Sequence, residues 1–262
     1  MIVKEVFDYL VGLSSGDYNE TDTLKFGTWE QEVTKIAICF ILTIDVIKKA
    51  KEWGADLIIT HEPTLFENLE NFTSGDRIVE KKLELIKDAG FSVIRFHDYM
   101  HGCSPDMIGE GEFFYMQLDG KYLKGRRIAI NRFVCENEIT PLELAELIES
   151  NLGIKHIRIC GARDIKCKNI SACFGQPSLE GVFEELRDDD VEIVLVGEVC
   201  EWSHGEYVRD AALLGEKKAM LIMGHAGSER DGMKFLSKKL SEEFDDIQIK
   251  YFDSGEVYSY TD

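Results

Sequence analysis

Histidine and carboxylate side chains recur in this sequence at points where an apolar, strand-like run ends. His61 and Glu62 directly follow the run Leu57–Thr60, and Pro63 prevents the strand from continuing because it has no backbone N–H to donate. Ligands of open α/β sheets usually bind at the carboxyl ends of strands, where loops are held by a rigid scaffold. Imidazole nitrogens and carboxylate oxygens are common ligands of divalent metals. We therefore predict that His61 and Glu62 are metal ligands.

A second strand end carries a dense set of similar side chains. The apolar run 91–96 predicts a strand, and the loop expected after it contains His97, Asp98 and His101. A single loop histidine is more often a hydrogen-bonding residue than a ligand, but recurrence at several strand ends favours a site. For His97 and Asp98 we expect a supporting role, either orienting a ligand by a hydrogen bond or transferring a proton.

The third strand end lies in the C-terminal part of the chain. The apolar run 219–223 is followed by His225 and, four residues later, by Glu229. Gly227 allows the backbone between them to turn tightly, so both side chains can point at one position. The alternative for Glu229 is that a glutamate in the first turn of a helix stabilises the helix dipole without binding a ligand. The pair nevertheless predicts a second set of metal ligands.

Motifs for other chemistries are absent. The sequence contains no P-loop, no dinucleotide-binding glycine fingerprint and no nucleophile elbow. His204, a few residues after the segment Gly197-Glu198, is a candidate acid or base, and the alternative is a surface or supporting position. The seven cysteines form no CxxC pair, which favours reduced thiols in a reducing compartment.

Hydrophobic periodicity predicts an α/β fold in two halves, because a helix, a strand and a strand-end histidine follow one another around His61 and again around His225. We assign a first domain to 1–125 and a second to 126–262, with the C-terminal segment as a candidate to pack back on the first. Helices are predicted over 3–13, 43–53, 76–89, 140–152, 178–187, 206–214 and around 233–240. Strands are predicted over 35–42, 57–60, 91–96, 127–134, 154–160, 168–174, 191–196 and 219–223, with two short strands within 247–260.

Composition restricts the partners that the protein can have. Forty-nine acidic and 30 basic residues give a formal charge of −19, which repels a phosphate backbone and disfavours nucleic acid. No apolar run is long enough for a membrane span, and the first residues lack the core of a signal peptide. The sequence therefore predicts a soluble, cytoplasmic protein without a membrane partner.

Three segments resemble the NIF-three-like dinuclear metal-centre family, which includes bacterial YbgI-type proteins often named GTP cyclohydrolase type 2. The segment 54–63 (GADLIITHEP) is similar to the family's "gadliitHHp" segment, and 224–230 (GHAGSER) to its "GHyxsER" segment. The segment 196–199 (VGEV) is similar to "tGEv". The resemblance covers most of the chain and is weakest from 105 to 190.

The resemblance implies five ligands for two divalent metal ions, which could be Zn, Fe, Mn or Ni. Carried over by position, they are His61, Glu62, His101, His225 and Glu229. Two of them depart from the family pattern, because Glu62 stands where the family has a histidine and His101 where it has an aspartate. The two departures together restore three imidazoles and two carboxylates, which favours a retained site.

The same resemblance implies two interlinked three-layer α/β/α domains of similar topology, with the metal site in the cleft between them, and a ring-shaped homohexamer. Our leading hypothesis is a metal-dependent hydrolase of an unidentified small molecule, with His97, Asp98 or His204 in supporting or proton-transfer roles. The alternative is a non-catalytic metal-binding scaffold or regulator. A third class, a ring that binds single-stranded nucleic acid, is disfavoured by the charge.

Overall fold

A computed structural model of the chain describes residues 1–15, 20–66 and 75–261, which form a mixed α/β fold with two sheets. They divide into two compact units: a first unit of Met1–Met107 with Met233–Asp262, and a second unit of Ile108–Gly232. Both boundaries differ from the division at residue 125 that we drew from the sequence. The reason is strand pairing, since residues 120–124 join the sheet of the second unit and residues 248–251 join that of the first.

The sheet of the first unit is mainly parallel. Its strands are β1 (Leu24–Phe26), β2 (Lys35–Cys39), β3 (Leu57–Thr60), β4 (Ser92–Arg95) and β11 (Gln248–Tyr251), in the order β1-β4-β3-β2-β11. Strands β11, β2, β3 and β4 run parallel, and β1 pairs with β4 in the antiparallel direction. The carboxyl ends of β3 and β4 therefore lie side by side, which places the two residue groups that follow them at one edge of the sheet.

The helices of the first unit are α1 (Val3–Gly12), α2 (Ile44–Trp53), α3 (Arg77–Ala89), the single turn α4 (Asp98–His101) and α9 (Arg230–Glu243), which begins in the second unit. Local sequence sets the ends of α2 and α3. The side chains of Thr43 and Asp76 accept backbone N–H groups at their first turns, and Gly54 and Gly90 end them in the left-handed conformation. Apolar residues of α2 and α3 pack with β2, β3 and β4 in one buried core.

The sheet of the second unit combines a parallel centre with antiparallel edges. Its strands are β5 (Gly120–Lys124), β6 (Ile130–Ile139), β7 (Arg158–Gly161), β8 (Cys167–Cys173), β9 (Ile193–Val196) and β10 (Ala219–Ile222), in the order β5-β6-β8-β9-β10-β7. Strands β8, β9 and β10 are parallel neighbours, so their carboxyl ends also share one edge.

The helices of the second unit are α5 (Met107–Met116), α6 (Pro141–Leu152), α7 (Leu179–Leu186) and α8 (Glu206–Leu213), with a π-helical turn at Glu201–Gly205 and a 3-10 turn at Ala226–Ser228. The predicted capping box of α6 is present: Thr140 accepts the N–H of Glu143, and the Glu143 carboxylate accepts the N–H of Thr140. Apolar side chains of α7 and α8 pack against the central strands in a second buried core.

A buried ion pair ties β6 to α7. The guanidinium of Arg132 donates to the carboxylate of Glu185 at 2.7 Å and to that of Asp188 at 2.6 Å, and the hydroxyl of Ser171 also donates to Glu185 at 2.7 Å. Glu185 is buried, so its charge is compensated inside the protein and not by water. The side chain of Arg132 is therefore a structural group of the second unit.

Three sequence expectations differ from the structure. The segment expected as a loop after β4 forms α4, and residues 107–116, which the sequence left unassigned, form α5. Only one strand, β11, is present between residues 247 and 260, where we expected two. No helix in the described residues is both long enough and apolar enough to cross a membrane.

Candidate metal centre

The first group of candidate ligands lies at the carboxyl ends of β3 and β4. His61 and Glu62 directly follow β3, and the helical turn α4 after β4 carries His101 at its end. A buried carboxylate, that of Asp22, accepts the backbone N–H of His97 at 2.8 Å and that of Tyr99 at 2.7 Å. Asp22 thereby satisfies N–H groups at the start of α4, and burial raises its own pKa.

The structure brings three histidine rings of this group together. The rings of His61 and His97 are stacked with centroids 4.3 Å apart, and His101 lies edge-on to both, at 5.2 Å from His61 and 5.1 Å from His97. Each ring offers a nitrogen, and these nitrogens all lie within 4.8 Å of one another. Three imidazoles that converge in this way have the composition of a divalent metal site.

Each of these rings is held through its Nδ1 atom by an oxygen. The Nδ1 atoms of His61, His97 and His101 lie 3.1 Å from the Phe96 carbonyl, 2.7 Å from Asp98 Oδ1 and 3.1 Å from Asp106 Oδ2, respectively. Carbonyl and carboxylate oxygens only accept, so Nδ1 carries the proton in each ring and Nε2 carries the lone pair. This is the arrangement in which an outer oxygen orients a metal-binding imidazole.

Glu62 lies beside these rings, with a buried cation behind it. The carboxylate of Glu62, whose side chain is 15% exposed, is 3.9 Å from His97 Nε2 and 3.8 Å from the guanidinium of Arg95. Arg95 also donates its Nε–H to the carbonyl oxygen of His61 at 2.9 Å, so it fixes the backbone between the two residues. Sequence analysis did not identify Arg95, because a charged residue at the end of a buried strand has no recognisable motif.

The surroundings of His61 favour its uncharged imidazole. Burial, followed by the nearby rings of His97 and His101, lowers the pKa of His61 well below its usual value. The hydrogen bond from His97 lowers the pKa of Asp98, which keeps that carboxyl ionised as an acceptor. A neutral imidazole is the form that binds a metal ion.

The second group lies at the carboxyl ends of β8, β9 and β10 in the second unit. His225 Nδ1 is 2.8 Å from Glu198 Oε1, and His225 Nε2 is 3.2 Å from Glu229 Oε2. The imidazole therefore stands between two carboxylates. Glu198 is placed to orient the ring, and His225 Nε2 and Glu229 Oε2 lie close enough for one cation to bind both atoms.

Glycines allow the strand ends to close around Glu229. A Cβ atom on Gly175, which has φ +63°, would lie 2.3 Å from Glu229 Oε1. A Cβ atom on Gly197 would lie 2.3 Å from the carbonyl oxygen of Gly175 and 2.5 Å from Ser228 Oγ. The hydroxyl of Ser228 accepts the N–H of Gly175 at 3.0 Å and donates to the carbonyl of His225 at 2.9 Å. The buried carboxylate of Glu229 thus occupies space that only glycine leaves open.

His204 belongs to a different environment from the one the sequence suggested. It is buried in the π-helical turn, where its Nε2–H donates to the Leu179 carbonyl at 3.0 Å and its ring packs edge-on against Phe183 at 4.6 Å. These contacts connect the turn to α7. His204 is therefore packed against α7, and its role as an acid or base stays a prediction of the sequence.

The donors present fit a divalent transition metal. Imidazole nitrogens and carboxylate oxygens predominate, the donors are largely buried, and outer oxygens fix the ring orientations. The sequence analysis named these side chains as candidates, but it missed Asp106 and gave no role to Glu198. Glu198 could have been found from the sequence, because it is a carboxylate that comes almost directly after a predicted buried strand. Asp106 is recognisable only from the fold.

The chain thus combines two α/β sheets with histidine and carboxylate side chains at their strand ends that could hold a metal ion. The chain belongs to the Duf34/NIF3 (NGG1p interacting factor 3) family, whose model matches residues 3–255, and this confirms the resemblance seen in the sequence.

Relatives and solved structures agree with that membership. A relative named GTP cyclohydrolase 1 type 2 homolog, from Clostridium perfringens (strain 13 / Type A), is 29% identical over 253 residues, covering 93% of this chain and 87% of the relative. A solved structure titled protein ybgI, unknown function, has a TM-score of 0.76 at 18% identity, covering 98% and 99% of the two chains. A Bacillus cereus protein related to NIF3 has a TM-score of 0.73 at 13% identity, covering 100% and 98%. These structures confirm the fold.

Proposed function

We propose that the protein is a metal-dependent hydrolase of a small-molecule substrate that uses two divalent metal ions. The proposed ligands are His61, Glu62, His101, His225 and Glu229. The observation that carries the proposal is the repeated construction of the donor groups: each unit collects imidazole and carboxylate side chains at the carboxyl ends of parallel strands. Bound divalent ions supply Lewis acidity, which polarises a substrate oxygen and lowers the pKa of water.

The residues of this chain would prepare such a reaction in definable ways. Glu198 holds the ring of His225 at 2.8 Å, so the Nε2 atom keeps one direction during the reaction. Glu62 is partly exposed, at 15%, and its carboxylate can accept a proton from a reacting water. Proton transfer by His97, Asp98 or His204 stays a prediction of the sequence.

The test combines metal content with activity. Protein purified without chelator is analysed for transition metals and then assayed against purine nucleotides, phosphoesters and cyclic amides, because the curated relatives carry a cyclohydrolase name. We expect metal in the native chain and hydrolysis of at least one substrate class. The variant His225→Ala with Glu229→Ala should lose activity and the metal bound by the second group, whereas His156→Asn, which removes an imidazole outside both groups, should lose neither.

Two results would contradict the proposal. Well under one equivalent of metal in the native chain, together with failed reconstitution, would exclude a metal enzyme. Full metal occupancy with no hydrolysis across the panel would favour the non-catalytic scaffold.

We also propose that the protein forms a homohexameric ring in the cytoplasm, as the resemblance implies. Support for self-association comes from large apolar side chains exposed around α8, namely Trp202 at 79%, Leu213 at 79% and Leu214 at 83%. None of the seven cysteines, all of which lie in the described residues, forms a disulfide, in agreement with a reducing compartment. Size-exclusion chromatography with light scattering measures the mass directly, and a monomeric mass at micromolar concentration would exclude the ring.

A further inference from the structure

The first unit has an imidazole that the five-ligand set does not use. The centroid of the His97 ring lies 4.3 Å from that of His61 and 5.1 Å from that of His101. These distances are no longer than the 5.2 Å between the centroids of His61 and His101. Its Nδ1 is held by Asp98 at 2.7 Å, the shortest of the three Nδ1 contacts. In geometry and hydrogen bonding, His97 is therefore equivalent to the two predicted ligands beside it.

We propose that His97 is a metal ligand, so that His61, His97 and His101 bind one ion through three Nε2 atoms. This assignment replaces the proton-transfer role predicted for His97 from the sequence and makes Asp98 the residue that positions its ring. It rests on the metal-binding part of the proposed function and specifies the site in greater detail.

Three observations lead to this assignment. The nitrogens offered by the rings lie within 4.8 Å of one another, which places all three within reach of one ion. Each Nδ1 faces an acceptor oxygen, so the lone pair is on Nε2 in every ring. The ring of His101 lies edge-on to the other two rings, and its imidazole completes the set of three.

The ligand chemistry also specifies the class of metal. Three neutral imidazoles bring no negative charge, so they bind the borderline ions Zn²⁺, Fe²⁺ or Co²⁺ in preference to Mg²⁺ or Ca²⁺, which require oxygen ligands. A divalent ion with three neutral ligands keeps its full charge and is therefore a strong Lewis acid. The carboxylate of Glu62, which follows the neighbouring strand β3, lies 3.9 Å from His97 Nε2.

The experiment measures zinc affinity in a full-length chain whose second group has been disabled. In the variant His225→Ala with Glu229→Gln, stripped with chelator, we expect about one equivalent of Zn²⁺ to bind in competition with a chromophoric chelator, and excess Mg²⁺ to leave it in place. X-ray absorption of that sample should show three imidazoles per zinc.

Substitutions in this background test His97 itself. His97→Phe keeps a flat ring stacked on His61 but has no donor, and it should weaken zinc binding by at least about 100-fold, because loss of an outer-shell partner alone costs 10 to 100-fold. His97→Gln is the second variant, with the same expected loss, in case the phenyl ring destabilises the fold. Asp98→Asn still offers an acceptor oxygen to Nδ1 and should weaken binding by about tenfold. His156→Asn should have no effect.

Several outcomes would overturn the assignment. Unchanged zinc affinity in a folded His97 variant, two or fewer imidazoles per zinc, or no zinc binding in the background chain would each refute the three-imidazole site. These readouts do not use enzymatic activity. Zinc bound through three imidazoles without any hydrolysis refutes only the hydrolase, and hydrolysis with His97 dispensable for zinc refutes only this inference.

Discussion

The glycine that makes room for Glu229 gives the sharpest test of the second donor group. Gly175 follows β8 with φ +63°, and a Cβ atom there would lie 2.3 Å from Oε1 and 2.8 Å from Cδ of Glu229. Contacts this short do not occur between real atoms. The substitution Gly175→Ala must therefore displace the Glu229 carboxylate or the strand end that holds it.

The expected loss of stability in Gly175→Ala is the sum of two contributions. An alanine in the left-handed region costs roughly 1–2 kcal/mol through backbone strain. Forcing a methyl group into an occupied site adds roughly 1–3 kcal/mol. We therefore expect the free energy of unfolding of Gly175→Ala to fall by about 2–5 kcal/mol, because both contributions apply at this position.

A matched control isolates the second contribution. Gly153 ends α6 with φ +64°, and a Cβ atom there would have no neighbour within 4 Å. Gly153→Ala should therefore show the backbone cost alone, about 1–2 kcal/mol. Urea unfolding of both variants, with metal removed so that binding does not add to stability, measures the difference.

Metal titration then separates a displaced ligand from a general loss of stability. If Gly175→Ala moves Glu229, metal binding by the His225 and Glu229 pair should weaken, whereas Gly153→Ala should bind as the native chain does. Equal losses of stability in the two variants, with metal binding unchanged in both, would refute the view that Gly175 determines the position of Glu229.

Three further predictions concern buried or capping groups of the second unit. Arg132→Met leaves the Glu185 carboxylate buried without its cation, so urea titration should show a loss of roughly 3–5 kcal/mol. Burial raises the pKa of Glu112, so the native chain should lose stability as the pH rises above the pKa of the carboxyl in the unfolded chain. The variant Glu112→Gln keeps the oxygen that accepts the N–H of Asp231. In thermal melts between about pH 5 and about pH 8, this variant should lose less stability than the native chain. Thr140→Ala removes the cap of α6 and should cost about 1 kcal/mol in urea.

Each of these predictions has a control. Arg132→Met combined with Glu185→Leu removes both charges and should recover most of the lost stability. Parallel pH dependences of the native chain and Glu112→Gln would show that Glu112 takes up no proton on folding. Thr140→Ser keeps the hydroxyl that caps the helix, and a loss as large as that of Thr140→Ala would exclude the capping explanation.

The sequence was sufficient for features that depend on neighbouring residues. Apolar periodicity and helix-capping residues located α1, α2, α3 and α6 to within a residue or two, because a cap or a stop acts within one turn. Strand-end positions identified His61, His225 and Glu229 as candidate ligands for the same reason, since a buried strand and the polar residues after it are adjacent in the chain.

The domain division depended on pairing between distant segments. Strand β11 lies beside β2, although more than 200 residues separate them, and no local pattern specifies that partner. Helix α5 has apolar residues on all sides and lacks the periodicity that identifies a helix, because it is largely buried. Both features depend on contacts made by the whole fold and not on neighbouring residues.

The equivalence of His97, His61 and His101 was likewise decided by tertiary structure. In the sequence, His97 is one of several residues in a predicted loop, because the order of residues does not give the orientation of an imidazole ring. The turn α4, capped by Asp22, and the oxygens of Phe96, Asp98 and Asp106 set those directions. The sequence by itself determined which residue types can bind metal. The tertiary structure determined which of their nitrogen atoms lie close together, because that depends on hydrogen bonds between segments that are distant in the chain.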